Sequence, residues 1–114
     1  MLTKLLHIAA LYDFYGPLLT VKQRQCIEMH YLHDMSLSEI GIEFAISRQA
    51  VYDILRRAEQ ILEEYEDALH LVERNRQQQR IVQQVYELLA SLPPEISGNS
   101  AAQQAMQQLE LLLD

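Results

Sequence analysis

The chain has 114 residues, 49% hydrophobic and 22% charged, so it can bury a core and is not disordered by composition. Its formal charge of −7 has the wrong sign for a protein that relies on non-specific attraction to phosphate. The single cysteine, Cys26, excludes an internal disulfide and points to a reducing cytoplasm. The apolar run Leu5 to Leu11 lacks the cleavage site of a signal peptide and the length of a membrane span.

In chain order, every predicted element is a helix. The first runs from about Leu2 to Tyr15 and stops at Gly16-Pro17. Thr20 opens the second, with Gln23 three residues on as the other half of a capping box. Cys26, Ile27, Tyr31 and Leu32 form its apolar stripe, and it is expected to reach about His33 before a turn at Asp34-Met35. Ser36 and Glu39 make a second capping box for a short helix, Leu37 to Phe44. After a turn at Ala45-Ile46, Ser47 caps a fourth helix, predicted to extend from Arg48 to Glu73, about 39 Å at ~1.5 Å per residue.

That fourth helix carries a heptad seam, Val51, Leu55, Ala58, Leu62, Tyr65, Leu69 and Val72. Its far end needs a partner, either a second subunit or the segment Ile81 to Leu89 folded back. The polar stretch Glu73 to Arg80 reads as a turn near Asn75 or a solvated helical spacer. Ser91 to Ser100 reads as a linker. The final AAQQAMQQLELLLD is amphipathic, with Ala102, Ala105, Met106, Leu109, Leu112 and Leu113 on one face, and is expected to dock or fray.

The stretch SLSEIGIEFAISRQAVYDILRR, residues 36–57, meets the demands of a helix-turn-helix. Gly41 allows close approach. Ile40, Phe44, Ile46, Val51 and Ile54 stand at anchoring offsets. Ala45 occupies a turn position that often holds glycine, and is less comfortable there if φ is positive. Ser47, Arg48, Gln49, Tyr52, Arg56 and Arg57 are the candidate nucleic-acid-binding residues. A capped helix start favours a phosphate, and Arg and Gln match guanine and adenine edges in the major groove. Asp53 stands among them and would repel phosphate unless it meets a cytosine amino group or pairs with Arg57 at i+4.

The block LLTVKQRQCIEMHYLHDMSLSEIGIEFAISRQAVYDILRRAEQILEEYE resembles the C-terminal helix-turn-helix domain of bacterial sigma factors. More closely, the run from LYDFYGPLLTVKQ through ISRQAVYDILRRAEQILEEYE resembles the YlxM-like family of small bacterial helix-turn-helix proteins, over about residues 1 to 90. The resemblance implies DNA contact by Arg48, Gln49, Tyr52 and Arg56, and an accessory or regulatory role beside the signal recognition particle.

Other constellations carry less. Cys26, His30 and His33 share a helical face, but no fourth metal ligand is evident and Cys26 reads as buried. The run Glu63-Glu64-Tyr65-Glu66-Asp67 reads as a solvated face. No phosphate loop, cofactor fingerprint or Ser/His/Asp set is present, so neither catalysis nor a cofactor is expected.

The expected fold is therefore all-α, a helix-turn-helix bundle of the sigma-factor C-terminal type with a long C-terminal helical extension. Residues 1–66 form the helical domain, 67–92 an extension for dimerisation or folding back, and 93–114 a linker with an amphipathic helix. The expected partners are DNA or RNA, signal recognition particle components and a second copy of the chain, joined through Leu55, Leu62, Tyr65, Leu69 and Val72. The competing readings are an accessory factor that binds targeting-particle protein or RNA, and a helical dimerisation module with no nucleic-acid binding.

Overall fold

The computed structural model describes residues 2–113, and among them every regular element is helical. They are α1 (Leu2–Tyr15), a 3-10 turn (Gly16–Leu18), α2 (Val21–Ile27) continuing as a π-helical turn (Glu28–Leu32), α3 (Leu37–Phe44), α4 (Arg48–Leu69), α5 (Leu71–Ala90), α6 (Pro94–Ser97) and α7 (Ser100–Leu112).

Both capping boxes form. Thr20 Oγ1 accepts from the Gln23 amide at 3.2 Å while Gln23 Oε1 accepts from the Thr20 amide at 3.1 Å. Ser36 and Glu39 do the same at 3.1 and 3.0 Å. Each box satisfies two of the amides that a helix start leaves orphaned. The bonds to Ser36 also hold the Glu39 carboxyl below the usual carboxylate range.

The described chain divides into two compact units, one reaching Val72 and one beginning at Glu73. The sequence suggested a boundary after residue 66; the packing divides six residues later because Val72 is buried in the first unit. That unit's core is a single cluster: Ile8, Leu11 and Tyr15 from α1, Leu19, Cys26 and Ile27 around α2, Ile40 from α3, Val51, Leu55, Ala58 and Leu62 from α4, and Val72. The Cys26 thiol is fully buried, and burial pushes its pKa up, which makes it a packing residue rather than a nucleophile.

The heptad seam is thus largely spent inside the chain, a correction to its reading as a subunit contact. Leu55, Leu62 and Val72 lie in the core and α1 and α2 cover the α4 face. Tyr65 stacks on Tyr15 with ring centroids 5.8 Å apart. Only Leu69 of the named seam residues stays exposed.

The predicted helix from Arg48 to Glu73 is also corrected. It ends at Leu69, and His70 takes a left-handed conformation, φ 55°. The cause is a polar hub that no local pattern encodes. The Tyr15 hydroxyl donates to Glu66 Oε1 at 2.6 Å and accepts from the Leu71 amide at 3.1 Å, and the same Glu66 oxygen accepts from the Val72 amide at 3.0 Å. Two amides at the start of α5 thereby find partners, and the chain bends to bury Val72. Of the two readings of Glu73 to Arg80, the helical spacer is the one observed and the turn near Asn75 is not, since residues 73–80 lie within α5.

The π turn was likewise not legible. It shifts the helical phase and leaves Leu32 exposed, off the stripe it was assigned to. The acidic run is only partly solvated: Glu63 pairs with His7, and Glu66 is the hub just described.

In the second unit, α7 docks on α5. Tyr86 Oη donates to Glu110 Oε1 at 3.0 Å, and Gln79 Nε2 donates to the Leu112 carbonyl at 2.6 Å. Met106, Leu109 and Leu113 are half-buried, whereas Ala105 and Leu112, predicted on the same face, are exposed. The expected linker contains one helical turn, α6, with Pro94 in its first turn.

Candidate nucleic-acid interface

The turn between α3 and α4 is built from two small residues. A Cβ on Gly41 would lie 2.8 Å from the Ile46 carbonyl oxygen, closer than real Cβ atoms come, so only glycine permits this approach. Ala45 takes the left-handed conformation, φ 56° and ψ 43°, as its position suggested. The Ile46 amide then donates to the Gly41 carbonyl at 2.9 Å, closing the turn. Ile40 and Val51 are fully buried, and Phe44, Ile46 and Ile54 are half-buried and pack against the core cluster that contains them. All five anchor residues therefore fix α4 against α3.

Ser47 starts α4, and its hydroxyl accepts from the Ala50 amide at 3.0 Å. From there Ser47, Arg48, Gln49, Tyr52, Asp53, Arg56 and Arg57 are all exposed. Four of the seven are organised in i, i+4 pairs. Gln49 Nε2 donates to Asp53 Oδ1 at 3.1 Å, and an Arg56 guanidinium nitrogen donates to the Tyr52 hydroxyl at 3.3 Å. Asp53 is thus paired with Gln49 and not with Arg57, whose guanidinium lies 3.7 Å from Glu64 instead. The Gln49 amide keeps a second N–H and its carbonyl oxygen for a base edge.

Sequence reasoning missed what bounds this face. Lys22, on α2, places its ammonium 3.7 Å from the centre of the Phe44 ring, so it both braces α3 and adds positive charge beside it. The other boundary is an open groove of about 760 Å³ that begins at Tyr52 and Arg56 and runs along α4 toward Asp67. Its floor is polar: Lys4 lies 3.3 Å from Glu59, and the Tyr31 hydroxyl donates to Glu59 at 2.5 Å. Glu63, Glu64 and Asp67 line its far end, which confines a phosphate-compatible surface to the first turns of α4. The i, i+4 spacing of the Gln49–Asp53 and Tyr52–Arg56 pairs is a local signal that could have found them, although the sequence reading paired Asp53 with Arg57; the bracing by Lys4, His7 and Lys22 comes from distant segments.

Among the described residues no group of three or more His, Cys, Asp or Glu side chains could hold a metal ion. His30 Nδ1 is instead 2.8 Å from the Met35 carbonyl, at the turn after α2. No described helix is long and apolar enough to cross a membrane.

Residues 2–101 match a family described as "Putative helix-turn-helix protein, YlxM / p13 like". That description names a fold and no enzymatic activity. Among curated relatives, a UPF0122 protein of Bacillus mycoides is 44% identical over 112 residues, which cover 98% of this chain and 99% of the relative. Relatives from Bacillus thuringiensis and Bacillus anthracis are 43% and 42% identical over the same span and coverage.

Proposed function

The chain belongs to the UPF0122 family of YlxM / p13-like proteins, and from that membership we propose that it is a regulatory protein that binds duplex DNA through the start of α4. One observation carries the reading. A helix start capped by Ser47 and locked by the Gly41–Ala45 turn presents Arg48, Gln49, Tyr52 and Arg56 to solvent, with three of them, Gln49, Tyr52 and Arg56, already held by side-chain hydrogen bonds. Ser47 and the first amides suit a backbone phosphate; Arg48 and Gln49 suit base edges; Arg56, steadied by Tyr52, suits a second phosphate. Arg57 is partly neutralised by Glu64 and contributes less.

The test is retention of DNA selected from a random pool by the wild-type chain. Arg48→Ala and Gln49→Ala are each expected to lower affinity by roughly 1–3 kcal/mol and to relax preference at one base pair. Variants that bind as tightly and selectively as the wild type would falsify the proposal.

The likeness to YlxM-like proteins supports placing this activity beside the signal recognition particle. Co-purification from nuclease-treated and untreated lysates tests that placement. Recovery of the targeting GTPase or its RNA supports it, and loss of both in each sample removes it.

A further inference from the structure

We infer that the α5 flank bearing Ile81, Val85 and Leu88 docks a second copy of this chain, antiparallel, about a two-fold axis near Val85. Every regular element of the second unit's described residues is a helix, yet none of those residues is buried. Two helices in contact without a core are marginal in water, because ordering the chain needs more apolar burial than one helix pair provides. Val82, Tyr86 and Leu89 are half-buried on one face of α5. The adjacent flank is left open, with Ile81 59% exposed, Val85 40% and Leu88 68%. Leu112, whose carbonyl accepts from Gln79, adds an exposed apolar side chain at the Ile81 end of the hairpin.

The shape of this flank selects its occupant. Gln84, Glu87 and Leu88 of α5, with Ser91 in the turn that follows it, line a shallow hollow. Their spacing, i, i+3, i+4 and i+7, is that of a hole that receives one side chain of a facing helix. With two antiparallel copies related by a two-fold axis between residues 84 and 85, Ile81 of one copy meets Leu88 of the other and enters that hollow. The reciprocal contact follows from symmetry, as an isologous interface requires.

Charge points the same way. From residue 73 to 113 there are three arginines and four glutamates, a net −1, whereas residues 1–72 carry six basic and eleven acidic side chains, a net −5. This nearly neutral segment is where two acidic chains can meet with least repulsion. Beside the stripe stand Gln77, Gln78 and Gln84, amides that donate and accept equally well to their own copies. Arg80 and Glu87 lie near opposite ends of it, so the antiparallel arrangement brings unlike charges within reach.

The experiment is the mass of the full chain in solution, by sedimentation equilibrium at micromolar concentration without nucleic acid, so its outcome is independent of DNA binding. The wild type is expected at twice the chain mass. Ile81→Glu and Leu88→Lys are each expected to weaken association at least about tenfold, because each sets an unpaired charge in the contact. The double variant is expected to recover a dimer, since the two new side chains face each other. Val85→Cys is expected to give a disulfide-linked dimer on oxidation, with Cys26 buried and silent. All three positions are well exposed, so circular dichroism is expected to show unchanged helix content. A monomeric wild type, single variants that dimerise normally, or a double variant that stays monomeric would each overturn the inference.

Discussion

At the scale of single residues, two small residues control the turn that sets α4 against α3. Ala45 holds a left-handed φ of 56°, which costs a non-glycine residue about 1–2 kcal/mol. Ala45→Gly removes that strain and is expected to raise the melting temperature by a few degrees, offset in part by glycine's greater unfolded-state entropy. Gly41→Ala has the opposite sign: the added methyl meets the Ile46 carbonyl oxygen, and a loss of about 1–3 kcal/mol is expected in urea unfolding. Three tyrosines set the response to alkali. Burial, helped by a hydrogen bond to Glu28, pushes the Tyr12 phenol up to about 12; burial and the bonds to Glu66 and Glu59 also raise Tyr15 and Tyr31. A raised pKa means that the folded state holds the proton more tightly than the unfolded one. The stabilising contribution is complete below the ordinary tyrosine value of ~10 and is lost as pH climbs toward the folded value. Stability is therefore expected to fall above about pH 10, and the Tyr12→Phe chain to fall less steeply.

At the scale of elements, what could be read and what could not divide by the range of the cause. Helix starts are written locally, so Thr20, Ser36 and Ser47 cap α2, α3 and α4 as their spacing implies. The offsets of Gly41, Ile46 and Val51 likewise made the helix-turn-helix and its outward residues legible. Helix ends were harder, because α4 stops for a reason 56 residues away, where the Tyr15 hydroxyl captures the Leu71 amide. The π turn after Ile27, which displaces Leu32, belongs to the same class of non-local effect. A heptad pattern on α4 was real, but pattern alone does not say whether α1 and α2 or another subunit will cover it. The hub gives this scale its own prediction. Tyr15→Phe keeps the ring stacked on Tyr65 but leaves the Leu71 amide without its partner, and Glu66 without one of its donors. A loss of about 1–3 kcal/mol is expected, with faster hydrogen exchange at Leu71 in the variant than in the wild type.

At the scale of the whole molecule, the proposed DNA binding has to be reconciled with a net charge of −7. The answer lies in where the charges stand. Arg48 and Arg56 project from the first turns of α4, and Lys22 stands beside α3, while Glu63, Glu64 and Asp67 gather at the far end of the groove. Few phosphates can be neutralised, about three to five for one chain, so the slope of log affinity against log salt is expected near −3 to −5. Glu64 is the informative lever, because it lies 3.7 Å from the guanidinium of Arg57 and both side chains are exposed. Glu64→Gln removes one negative charge and frees Arg57 for the backbone without disturbing the core. Affinity is expected to rise severalfold at low salt and the slope to steepen by up to about one, because one more counterion is released per complex. At high salt the two chains are expected to converge, since screening removes the repulsion that Glu64 supplied. A gain that persists unchanged at high salt would mean that Glu64 acts through local structure and not through the field at the proposed interface, and the charge distribution would then not account for DNA binding by so acidic a chain.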